Sequence, residues 1–160
     1  MSAVGEEIII REWRIEDIDG ICEIYRLLTG APVTDDFRRK VQRSVRSCAF
    51  DVHLVAVSED KIVGFIISYI LPFGFGAEDR AYISTMGVHP RFMGRGIGVK
   101  MTKTLFSCYK KHNISIVYAS VKWSSTDLLS FFKTLGFDSS NYLNLKLDLE
   151  PPDELITGGN

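Results

Sequence analysis

The 160-residue sequence predicts a single α/β domain, a mixed sheet with helices on its faces. Three observations carry that expectation. Apolar residues change their spacing along the chain, from every second position to every third and fourth. Two strand-like runs, "HLVAV" and "KIVGFIISYIL", flank the short polar turn "SEDK", as in a hairpin. A glycine-rich stretch, Gly94 to Gly98, separates an extended run from a helical one. The expected order of elements is β-α-α-β-β-β-α-β-α-β.

Each element has its own grounds. Glu7 to Trp13 contains the β-branched run "IIIREW", a first strand. Ile18, Ile21, Tyr25 and Leu28 recur at helical spacing, and Gly30 sits where that helix would stop. "APVTDD" reads as a loop, in which Thr34 caps the next helix and Asp35 and Asp36 suit its dipole. Phe37, Val41 and Val45 give this second helix a narrow apolar stripe. The hairpin follows, then the glycine-rich loop "PFGFGAEDR", then the strand "AYISTMGV", which ends before Pro90. Past the glycines, Ile97, Met101, Leu105 and Cys108 share one helical face with lysines opposite. "SIVYASV" is a further strand. "SSTDLLSFFKTLGF" has a serine cap, the apolar set Leu128, Phe132 and Leu135, and a stop at Gly136. "NYLNLKLDL" alternates over nine residues, the pattern of a strand with one exposed face. Residues 1–150 are expected to form the domain and 151–160 a flexible tail.

Composition narrows the function. The chain is 46% hydrophobic and 24% charged, ordinary for a soluble globular protein. No apolar run reaches the roughly 20 residues needed to span a bilayer, and the N-terminal "MSAVGEE" has no signal-peptide pattern. Cys22, Cys48 and Cys108 are odd in number and far apart, which reads as reduced thiols in a cytoplasmic protein. His53, His89 and His112 show no metal-ligand spacing, so no metal is expected. The net charge of −1 conceals an asymmetry: Arg80 to Thr126 holds eight of the 19 basic residues and no Asp or Glu. That segment favours an anionic ligand. Nucleic acid is disfavoured by the absence of a recognition motif and by the slightly acidic whole.

The ligand is sought at "HPRFMGRGIGVKM", His89 to Met101. A phosphate-binding P-loop needs GxxxxGK followed by Ser or Thr, and this spacing is absent. A dinucleotide fingerprint needs GxGxxG near a first strand and an acid about 20 residues on, and that fails too. What remains is a strand–loop–helix whose amides face a phosphate, helped by the helix N-terminus.

These residues resemble the GCN5-related N-acetyltransferases (GNAT family). There the fourth strand ends in Val-x-Pro, followed by Arg or Gln, two variable residues, Gly, one variable residue, and Gly or Ala. Here that is "VHPRFMGRGIG", and "SFFKTLGF" is similar to the family's closing "ALYESLGF". The resemblance runs from about Ile8 to Leu149 and implies the GNAT fold, a mostly antiparallel sheet flanked by helices. It implies acetyl-CoA as cofactor, its pyrophosphate on the loop of Arg91, Met93, Gly94, Arg95, Gly96, Ile97, Gly98 and Val99. It also implies that the strand at Met86, Gly87 and Val88 pairs with the pantetheine arm, and that an amide near Val88 polarises the thioester carbonyl.

"APVTDDF" and "AYISTMGV" are similar to NatE-type N-terminal acetyltransferases. That likeness implies a protein or peptide N-terminus as the amine substrate. Pro32 and Val33 would lie against its first residue, Tyr142 over its backbone, and Tyr82 would help to deprotonate the α-amine. Four positions depart from the pattern. Met93 replaces an Arg or Gln, and Ser120 stands where the subgroup has His and ribosomal-protein acetyltransferases have Glu. Ser125 replaces a cofactor-binding Asn, and Phe132 replaces a Tyr proposed as general acid. Ser120 and Tyr82 are therefore candidates to hold a water that accepts the amine proton, and Ser125 and Phe132 remain candidate cofactor contacts. Two alternatives stand beside this reading: a non-catalytic CoA-binding domain, and an acetyltransferase of a small-molecule amine. The protein is expected to be a monomer or homodimer.

Overall fold

The structure, a computed structural model, describes residues 7–44, 51–71 and 79–149. They divide into two compact units, one up to Lys122 and one from Trp123. Val45, Cys48, most of the "PFGFGAEDR" loop and the expected tail lie outside the described residues.

The first unit is built on a five-stranded sheet in the order β1-β2-β3-β4-β5. Strand β1 (Ile9–Glu12) pairs antiparallel with β2 (His53–Ser58), β2 with β3 (Lys61–Leu71), and β3 with β4 (Arg80–Val88). Only β5 (Val117–Ala119) runs parallel to its neighbour, β4. The hairpin between β2 and β3 turns at Glu59 and Asp60, whose φ values of 46° and 61° are those of a primed two-residue turn.

Helix α1 (Ile18–Thr29) buries Ile18, Ile21, Cys22 and Ile24 and ends at Gly30 with φ 66°, the left-handed stop expected there. Helix α2 (Asp35–Ser44) starts where the Phe37 amide donates to Thr34 Oγ1 at 3.1 Å, the expected cap. Both helices cover one face of the sheet, in a core with Trp13, Val55, Phe65 and Ile67. The opposite face carries α3 (Ile97–Lys111), with Ile97, Met101, Leu105 and Tyr109 buried. Tyr109, one residue past the expected Cys108, fills the last turn because Ser68 Oγ meets its hydroxyl at 2.7 Å. A Cβ at Gly64 would stand 2.9 Å from Met101 Cε, so α3 packs on bare strand there.

In the second unit, α4 (Thr126–Thr134) stops near Gly136, whose φ is 91°. The strand expected over Asn141–Leu149 is not formed: among the described residues that segment pairs with no strand. Leu143, Leu145, Leu147 and Leu149 are 82–94% exposed. Alternation separates two faces of an extended segment, but a strand exists only through a neighbour's N–H and C=O groups. The observed order therefore lacks the last β.

Candidate active site

Strand β4 is held on two sides for only part of its length. Ala81, Tyr82 and Ile83 pair with Val117, Tyr118 and Ala119 of β5. From Ser84 onward β4 keeps β3 on one side and, among the described residues, pairs with no strand on the other. The register breaks at the same place. Ile67 pairs with Thr85 and Ser68 with Ile83, which leaves Ser84 as a bulged extra residue. The parting edge of β4 thus offers main-chain groups from Ser84 to Val88 to an extended ligand.

The chain then leaves the sheet through His89, whose amide donates to the Val63 carbonyl at 2.8 Å. His89 Nδ1 accepts from the Arg91 amide at 3.2 Å and caps a short 3₁₀ turn, Pro90–Phe92. The Arg95 guanidinium lies 4.9 Å from the centre of the Phe92 ring. Gly94 and Gly96 have φ of 76° and 73°, conformations that favour glycine, and a Cβ on either would meet nothing within 4 Å. Gly96 is the N-cap of α3 and brings no side chain to it. The first helical bond from this cap runs from the Lys100 amide to the Gly96 carbonyl at 2.9 Å. The amides of Ile97, Gly98 and Val99 precede it and have no helical carbonyl within reach. No acid occupies the first turn of α3. Open space, unspent amides and a positive helix end fit a phosphate group. Of the nearby cations, Lys100 is turned away, donating from Nζ to the Ile8 carbonyl at 2.6 Å.

A cavity of about 360 Å³ opens between α2 and the sheet. Phe37, Val41 and Ile67 form its apolar wall, and Tyr69, Ser84 and Thr85 bring hydroxyls to it. Lys40 and Arg43 complete the lining. Ser84 and Thr85 are also the first residues of β4 beyond its pairing with β5. Sequence reasoning missed this cavity. Its only trace there was the α2 stripe, whose Phe37 and Val41 face it.

The predicted residues separate into groups. Met86 to Val88 and Gly94 to Val99 lie in one continuous path, parting strand to loop to helix. Tyr82 is half-buried between its register partners Tyr69 and Tyr118, and Ser120 follows β5 directly. Val33 packs against the same core cluster as Phe37 and Tyr69, while Pro32 is exposed. Met93 is 53% exposed. Ser125, Phe132 and Tyr142 belong to the second unit. There Ser125 is the N-cap of α4, and Phe132 is buried edge-on to Phe131 and Phe137. Tyr142 is 67% exposed.

The GNAT acetyltransferase family model matches residues 18–137. Among solved structures, the chain is similar to the aminoglycoside N-acetyltransferase AAC(6')-Iy in complex with CoA. The TM-score is 0.78 at 13% identity, over 93% of this chain and 99% of that one. A possible acetyltransferase from Clostridium difficile 630 gives 0.78 at 19% identity, over 91% and 100%. The ribosomal-protein-S18-alanine N-acetyltransferase from Escherichia coli gives 0.70 at 14% identity, over 84% and 80%. No curated protein matches the sequence significantly. The fold is that of the acetyltransferases. The chain belongs to the GNAT family and is an acetyl-CoA-dependent N-acetyltransferase.

Proposed function

We propose that the protein acetylates the α-amine of a peptide or protein N-terminus. One observation carries this reading: the cavity shares Ser84 and Thr85 with the parting edge of β4, so an amine seated in it lies beside that edge. The NatE-like segments "APVTDDF" and "AYISTMGV" lead into the two walls concerned, α2 and β4. Acetyl-CoA supplies the acetyl group as a thioester. On this reading the amides of Ile97 to Val99, with Arg91 and Arg95 nearby, hold the pyrophosphate, and Met86 to Val88 hold the pantetheine arm. An amide near Val88 polarises the thioester carbonyl.

A free amine is mostly protonated at neutral pH, so a proton must leave before nitrogen attacks. A water held by Tyr82, and by Ser120 at the end of the neighbouring strand, receives it and passes it to solvent. The forming C–N bond replaces the C–S bond, and the CoA sulfur leaves. Phe132, having no acidic proton, gives none to that sulfur. Alignment of amine and thioester supplies much of the rate, up to about 7–11 kcal/mol in favourable cases. The odd number and wide spacing of the cysteines support a reducing compartment such as the cytoplasm.

The test is acetyl turnover on a panel: peptides beginning with Met and an apolar residue, free lysine, a polyamine and an aminoglycoside. Faster turnover of the peptides supports the proposal. Acetylation of a small amine with every peptide ignored overturns it and leaves only the family assignment.

A further inference from the structure

We propose that the cavity between α2 and the β3–β4 face selects acceptors bearing an anionic group close to the reacting amine, with Arg43 as the residue that reads it. The inference rests on the cavity being the acceptor site.

Among the described residues the lining contains two charged side chains, Lys40 and Arg43, both cations, and no Asp or Glu. Three carboxylates on neighbouring segments are already engaged. Asp36 meets Lys40 Nζ at 2.6 Å, and Asp19 is paired with Arg38. Asp51, at the far end of β3, accepts from the Ile70 amide at 2.8 Å. Asp36 pairs directly with Lys40 and acts on Arg43 only at longer range, so Arg43 is the less neutralised of the two cations. Its planar fork also matches a carboxylate with two parallel hydrogen bonds.

The rest of the lining sets the shape of the acceptor. Phe37, Val41 and Ile67 suit one apolar side chain, and the hydroxyls of Ser84 and Thr85 suit main-chain polar groups beside the amine. A volume of about 360 Å³ is near the lower end for ligand pockets and suits one residue and the start of the next. A polycationic amine would bring like charge to Arg43 and Lys40. The acceptor class that follows is an apolar first residue followed by Asp or Glu.

Two matched pairs test this, in turnover and in calorimetric titration against the CoA-bound protein. One pair is a Met-Asp and a Met-Lys peptide of otherwise equal sequence. The other is a six-carbon ω-amino acid and the diamine of the same length. The acidic member of each pair should be preferred about five- to tenfold at low salt, and the preference should shrink as salt is raised. Arg43→Gln should remove the preference and Arg43→Glu should reverse it, which a merely structural arginine would not do. Equal use or equal binding within both pairs, an absence of binding by all four ligands, or a preference unchanged in Arg43→Glu overturns the inference. If both peptides are ignored while the amino acid is preferred over the diamine, the charge reading stands and the peptide reading falls.

Discussion

Tyr69 and Tyr82 are register partners across β3 and β4, so a phenol of the cavity wall stands beside the one that the sequence marks for catalysis. Replacing Tyr82 by Phe keeps the ring in the sheet and removes only the hydroxyl. Turnover should fall at least about tenfold with acetyl-CoA affinity little changed, since loss of a proton-transfer group costs about 10²–10⁴ in rate. Steady-state kinetics across pH, with cofactor titration alongside, decides it. Equal activity at every pH assigns the proton to another group.

Gly96 separates cofactor binding from folding. Its φ of 73° makes any side chain strained, yet a Cβ there meets nothing within 4 Å. Gly96→Ala should therefore fold, at a cost of about 1–2 kcal/mol for a left-handed alanine, and still bind acetyl-CoA. Gly96→Asp adds a negative charge at the helix end and should abolish binding. Unchanged affinity in folded Gly96→Asp would remove the loop from the cofactor site.

Gly87 is constrained by crowding. A Cβ there would lie 2.6 Å from Leu28 Cδ1 and 3.0 Å from Phe65 Cε1. Gly87→Ala should destabilise by about 1–3 kcal/mol, the usual range for overpacking. Leu28→Ala in the same chain should recover part of the loss. Denaturant midpoints of the three variants measure this.

Asp17 ties stability to pH. Burial pushes its carboxyl up, but the Arg11 guanidinium, at 2.7 and 2.9 Å, and the Arg14 amide, at 2.7 Å, hold it net below its usual value. The resulting stabilisation is present above the unfolded carboxyl's pKa of about 3.9 and is lost as pH falls through the lower folded value. Asp17→Asn should flatten that part of the stability profile. Arg11→Ala should cost about 2 kcal/mol at neutral pH, less than a fully buried pair because Arg11 is 29% exposed.

Val33 is where two expectations meet. Its side chain packs against the core cluster, so Val33→Asp should lower thermal stability as well as weaken peptide use. A variant of undiminished stability that loses peptide turnover would place Val33 in the acceptor site alone.

Most of the architecture was legible because it is written locally. Period-2 and period-3.6 patterns, Thr34 before Asp35 and Asp36, and Gly30 and Gly136 at helix ends each act within a few residues. The same holds for the loop before α3, where alternating glycines announce left-handed backbone and open amides in one continuous stretch.

The cavity beside α2 was less legible. Phe37, Arg43, Tyr69 and Ser84 come from α2, β3 and β4, and nothing in their local sequence says that they share a cavity. The segment "NYLNLKLDL" shows the opposite failure, a clear strand pattern without a strand.

By itself, the sequence determined most of the elements, the family motif and the backbone character of the glycine loop, because those depend on backbone preference and charge within single short segments. Only the tertiary structure decided the Ser84 bulge, the point at which β4 leaves β5, and the charged cavity beside it. Those depend on register and on packing between segments far apart in the chain, where one residue of slip moves every side chain to the other face.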